Sequence, residues 1–212
     1  MRRGFLVMFA ALGVWLGCPG MAGAHRLDEY LQATRLSLDL DRVGVEIDLT
    51  AGVNLAAQIF ASIDTDRDGR ISVVEGEAYA RRVLASVVLS VDGRPTSMTL
   101  VDSRFPELID MSLGVGTIRL RATAQASAAA VGRHQISYLN RHQPGASVYL
   151  VNALVPSDPR IQIAGQRRDV AQRGLVLDYR VSPDRAWIRT WWLITGLAMV
   201  AVLGITRRPR RS

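Results

Sequence analysis

Four carboxylates stand at positions 1, 3, 5 and 12 of a twelve-residue stretch, residues 64–75, as Asp64, Asp66, Asp68 and Glu75. Position 6 is Gly69, where a chain curling on itself needs a sharp turn. Calcium takes six to eight oxygens at about 2.3–2.6 Å, and this spacing wraps the donors around one point. The expected set is the side-chain oxygens of Asp64, Asp66 and Asp68, the backbone carbonyl of Arg70, a direct or water-borne contact from Ser72, and a bidentate clamp from Glu75. Ile71, at position 8, is the apolar residue that anchors such a loop. The alternative is an acidic surface loop that binds nothing. Carboxylates gathered near 5 Å repel by roughly 1–3 kcal/mol per pair at effective dielectrics of 80 down to 20, which weighs against it.

The flanks have helical periodicity. Ala56, Ile59, Phe60 and Ile63 fall on one face of a helix entering the loop, and Tyr79, Val83 and Leu84 form the facing side of one leaving it. Over about residues 56–84 the chain resembles the EF-hand family, which implies a Ca2+ site made by the six residues named. EF-hands usually occur in pairs and no second loop is found, so the resemblance implies a structural site rather than an opening switch. Affinity is then expected near 10⁻⁴–10⁻³ M, the range of extracellular modules.

A second set of candidate ligands is His25, His134 and His142, the only histidines. If a leader ends at Ala24, His25 offers amine and imidazole together to copper or nickel, with further imidazoles completing the site. Surface or hydrogen-bonded histidines are the plainer reading. His134 and His142 flank one short strand, so their meeting depends on the fold.

These residues need a frame, and most of it reads as strands. Leu36, Leu38 and Leu40 share one face, and Val43, Val45, Ile47 and Leu49 another, which predicts a hairpin with one buried side. Short runs recur at residues 87–92, 98–101, 117–123, 135–139, 148–154, 161–164 and 175–181. Strands this short and numerous predict a mainly β, β-sandwich-like domain, with an EF-hand helix pair inserted at residues 54–85. Residues 124–131 read as a loop or poorly formed strand, and residues 158–173 as a segment wrapping over the surface.

Both ends are addressed to a membrane. Arg2 and Arg3 precede an apolar run, and Ala22-Gly23-Ala24 supplies the small residues a signal peptidase reads, so residues 1–24 are expected to be a signal peptide. An uncleaved anchor helix is the alternative. Residues 190–206 carry no charge and, at about 1.5 Å per residue, reach roughly 26 Å. With Trp187, Trp191 and Trp192 at its start, residues 187–206 are the expected transmembrane helix, followed by an arginine-rich cytoplasmic tail at 207–212. A sorting tail cut after export would also end this way. The domain at 25–186 is expected to face the periplasm or cell exterior from the inner or cytoplasmic membrane.

The formal net charge of +7 resides in Arg2, Arg3, Arg189 and the four arginines of the tail, leaving residues 25–188 formally neutral. It therefore reports membrane topology and argues against a nucleic-acid partner. The single cysteine, Cys18, would leave with the signal peptide, so the mature domain has neither disulfide nor thiolate chemistry.

His25-Arg26-Leu27, the hairpin, the single hand, Asn140-Arg141-His142-Gln143-Pro144 and the run at residues 149–156 together resemble the exported N-terminal domain of HupE/UreJ-type nickel/cobalt permeases. The resemblance spans most of residues 25–181. In place of the multi-span permease of that family one helix is expected here, which leaves room for an accessory role beside a separate permease. No nucleophile elbow, His-Glu-x-x-His pattern or phosphate-cradling glycine loop is present, so no enzyme is expected. The expected function is a membrane-anchored, calcium-binding module acting through protein contacts; the alternative is a copper or nickel receiver built on His25, with calcium purely structural.

Overall fold

The computed structural model describes residues 28–126 and 129–183. The expected signal peptide, His25, the span at 187–206 and the arginine tail lie outside the described residues. Among the described residues no helix is long and apolar enough to cross a membrane.

Period-two patterning sets the first hairpin. β1 (Tyr30–Leu38) pairs antiparallel with β2 (Arg42–Ala51), with Leu36 opposite Val45, and each buries every second residue. The buried face of β1 is Tyr30, Gln32, Thr34, Leu36 and Leu38. Its first half is thus more polar than an apolar-alternation rule expects, because Gln32 and Thr34 are hydrogen-bonded to Asn140 and Tyr138, brought in from elsewhere in the chain. The period then changes to that of a helix, and α1 (Val53–Ala61) and α2 (Val73–Ala85) follow.

The remaining strands are β3 (Val87–Val91), β4 (Arg94–Pro95), β5 (Met98–Arg104), β6 (Thr117–Gln125), β7 (Gly132–Asn140), β8 (Ser147–Ala153), β9 (Ile161–Arg168) and β10 (Gly174–Val181), with the short α3 (Leu108–Ser112) between β5 and β6. They build two five-stranded sheets, ordered β5-β6-β2-β1-β8 and β4-β3-β7-β10-β9. The fold is mainly β. All pairings are antiparallel except that of β8 with β1, which is parallel because the chain crosses over from the second sheet to the edge of the first. Asp92 and Gly93, both at positive φ, turn β3 into β4 in a two-residue loop of the kind whose twist matches the strands.

Both sheets and the helix pair feed one buried cluster, which includes Leu36, Ile47 and Leu120 from the first sheet, Ile136 and Leu177 from the second, and Ile59 and Val83 from the helices. Burying a side chain of this size is worth about 1.5–3 kcal/mol, so the helix pair is an integral part of the core.

Two expectations are corrected. Residues 158–173 do not simply wrap over the surface: β9 is a regular edge strand paired with β10. With one partner and only Ile161 fully buried, it has little apolar alternation to reveal it. The helix α3 was not expected; five residues are too few to display a helical period.

Candidate metal centre

The loop is held at both ends by packed helices. Ala56, Ile59 and Phe60 bury one face of α1, and Ile63, fully buried, pins the chain immediately before Asp64. Ser62 closes α1 by donating its hydroxyl to the Ile59 carbonyl at 2.6 Å. On the far side Tyr79, Ala80, Val83 and Leu84 bury α2, and Ile71 packs partly buried against the same core.

Between these anchors the backbone bends through two residues of positive φ, Arg67 at 60° and Gly69 at 82°. A side chain at Gly69 would meet nothing within 4 Å, so glycine serves the turn and not the packing. The aspartates fix the bend by accepting backbone hydrogen bonds. Asp64 accepts from the N–H groups of Asp68 at 3.2 Å and Gly69 at 3.0 Å. Asp66 accepts from Asp68 at 3.1 Å, and Asp68 from Arg70 at 2.8 Å. These local turns, which Asp makes readily, leave ligand oxygens of Asp64, Asp66 and Asp68 within 4.8 Å of one another. Asp64 is buried and the other two are exposed, so the cluster opens to solvent on one side. Asp66 is held above its ordinary pKa: the Asp68 N–H opposes the shift, but desolvation and the neighbouring carboxylates of Asp68 and Glu75 outweigh it. A cation at this point would relieve that crowding, and a set of hard oxygens suits a hard divalent ion.

Glu75 spans the loop. Its Oε2 accepts from the Ser72 N–H at 3.0 Å and the Ser72 hydroxyl at 2.8 Å, while Ser72 Oγ accepts from the Glu75 N–H, which completes a capping box at the start of α2. Its Oε1 accepts from the N–H and hydroxyl of Thr65 and from the N–H of Asp66. The Ser72 donors first, then those of Thr65, pull the Glu75 carboxyl down to about 2. A carboxylate offers about four lone-pair sites, so a cation here competes with the two hydroxyls for Glu75. The residues fit a hard divalent cation: three converging aspartates, and beside them a buried, ionised glutamate bonded to Thr65 and Asp66 at the start of the loop. Ser72, expected as a ninth-position donor, caps α2, and the Ser-x-x-Glu spacing is a readable signal of that. Thr65, with no expected role, proves to be the second residue that holds Glu75.

The structure keeps the two described histidine candidates, His134 and His142, apart. His134 lies near the start of β7 and His142 just beyond its end. At about 3.3 Å per residue, the strand from His134 to Asn140 alone separates them by roughly 20 Å, so one ion cannot take both. His134 has its Nδ1 2.8 Å from Asp92 and its Nε2 2.7 Å from the Ala130 carbonyl. His142 is 8% exposed and faces the hydroxyl of Tyr79. His25 lies outside the described residues.

Beside the loop, an open groove of about 1090 Å³ runs between α2 and strands β3 and β5, lined in part by Ile71, Val73, Gly76, Val88, Val101 and Phe105. Comparison with models of known protein families finds no match, and no curated protein matches the chain.

Proposed function

We propose that this chain is a calcium-binding module displayed outside the cytoplasm on a β-sandwich-like domain, tethered through residues 187–206 and acting through contacts with other proteins. One observation carries the metal assignment: Asp64, Asp66 and Asp68 converge within 4.8 Å on a loop bounded by two core-packed helices. An all-oxygen donor set disfavours copper and zinc, which prefer nitrogen or sulfur. A twelve-residue loop ending in glutamate favours calcium over magnesium, which demands a smaller, stricter octahedron. In this reading the carboxylates are committed to the cation and the module is not an enzyme. The groove beside α2, with exposed Val73 and Val101 along it, supports protein contact as its mode of action. A separate metal-ion permease in the same membrane is the partner class that the resemblance over residues 25–181 supports.

Calorimetric titration of the full-length chain in detergent, with calcium and then magnesium, tests the assignment. Calcium at a hundredfold its Kd is expected to add about 2.7 kcal/mol of stability by mass action, and a chelator to remove it. An unfolding transition unmoved by either overturns the reading.

A further inference from the structure

The buried face of β1 begins with Tyr30, Gln32 and Thr34, and the two aromatic-amide positions at its start belong to a polar network beneath the hand. The hydroxyl of Tyr30 lies 2.8 Å from that of Tyr79 in α2, and the Tyr79 hydroxyl lies 3.2 Å from His142 Nε2. His142 is itself fastened on both sides. Its N–H donates to the Asn140 side chain at 2.8 Å, and its carbonyl accepts from Gln32 at 2.8 Å and from the Tyr149 hydroxyl at 2.7 Å. Gln32 and Asn140 are joined in turn by a 2.8 Å hydrogen bond. With its backbone held on both sides and its ring set edge-on against Tyr30 and Tyr79, His142 presents a fixed partner to α2, and Tyr30, Tyr79, Gln32 and Asn140 are all nearly inaccessible to solvent.

Tyr79 stands four residues after Glu75, one helical turn along the same side of α2. A displacement of the helix at Tyr79 therefore reappears at Glu75. Two further contacts limit that displacement. A Cβ on Gly76 would lie 2.7 Å from the Phe105 ring, so α2 has no room to move that way. Arg82 donates to the Ser62 carbonyl at 2.9 Å, tying α2 to the end of α1.

We propose that His142, through Tyr79, is a positioning residue for the calcium site: it sets the seat of α2 and with it the placement of Glu75. This rests on the calcium reading of the loop. His142 touches no proposed ligand; its effect passes along one turn of helix.

The test uses the full-length chain in detergent, with calcium Kd from calorimetry and Tm from thermal unfolding for native protein, Tyr79→Phe, His142→Ala and His142→Gln. Tyr79→Phe keeps the ring and loses only the hydroxyl, so it remains informative if His142→Ala fails to fold. The glutamine amide reaches the place of Nε2 and can accept from Tyr79. Calcium Kd is expected to rise three- to tenfold in Tyr79→Phe and His142→Ala and to stay within twofold of native in His142→Gln. Native Kd in Tyr79→Phe with a lowered Tm would show a structural role alone and overturn the proposal, as would a Gln variant no better than Ala. No calcium binding by the native chain would overturn the calcium reading and this inference with it, whereas native binding with unaltered variants overturns the inference only.

Discussion

His134 and Asp92 join the start of β7 to the β3–β4 turn, with Nδ1 2.8 Å from the carboxylate Oδ2. The second ring nitrogen lies 2.7 Å from the Ala130 carbonyl, and the other Asp92 oxygen accepts from the Gln135 N–H at 2.8 Å. Both ring nitrogens face acceptors, so only the imidazolium can donate to both. The Asp92 hydrogen bond accordingly raises the His134 pKa, against a smaller desolvation effect, and Asp92 is lowered, its desolvation outweighed by His134 and the Gln135 N–H.

The consequence for pH follows by linkage. A histidine whose folded pKa is raised contributes fully below its unfolded value near 6.5, and the contribution is lost as pH rises through the folded pKa. The lowered carboxyl of Asp92 contributes above its unfolded value near 3.9, and loses that contribution as pH falls through its own folded pKa. Chemical denaturation of native protein and Asp92→Asn is expected to show a deficit of about 0.5–1 kcal/mol at pH 5.5, allowing for solvent screening at the half-exposed Asp92, that shrinks above pH 8. An equal deficit at both pH values would contradict the pairing.

His142 has the opposite sign. Burial, aided by the charge of Arg82, pushes its pKa down to about 4. The unfolded chain takes up a proton near pH 6.5 that the native ring refuses, so stability falls as pH drops from 6.5 toward 4. The loss is on the order of 2 kcal/mol once residual exposure of the ring is discounted. In His142→Gln this component of the acid slope should vanish, which denaturant midpoints measured between pH 7.5 and 4.5 would reveal; an unchanged slope would place the acid sensitivity elsewhere.

Gly76 sits where α2 passes the Phe105 ring, and a Cβ there would come within 2.7 Å of Phe105 Cε2 and 2.9 Å of Cδ2. Alanine is the better helix former by about 1 kcal/mol, but overpacking of this kind costs about 1–3 kcal/mol. Gly76→Ala is therefore expected to be neutral to destabilising by about 2 kcal/mol. Adding Phe105→Leu should turn the alanine into a gain, so a double-mutant cycle of thermal unfolding checks the contact through the sign of its coupling.

A feature is legible in the sequence to the extent that its signal is local. The spacing Asp64, Asp66, Asp68, Gly69 and Glu75 lies within one loop, and the structure gathers the three aspartates because each accepts hydrogen bonds from N–H groups only a few residues on. The first hairpin was equally readable, since period-two burial and a short turn are properties of adjacent residues. The edge strand β9 is legible only over residues 161–164, because a strand paired on one side and largely solvated has little apolar alternation.

Short-range features are written into neighbouring residues: strand and helix periods, the acidic loop and its glycine, and the serine and glutamate that cap α2. Which distant residues meet is set by the packing of the two sheets and the helices. It set β8 beside β1 in parallel, held His134 and His142 apart along β7, and brought Tyr30, Tyr79 and His142 together across more than a hundred positions of chain. Patterning shows which face of an element is buried. It does not show what the opposing face presents, because that depends on sheet order and register, and burial of a polar group such as Gln32 or His142 is tolerable only once its partner has arrived from elsewhere in the chain.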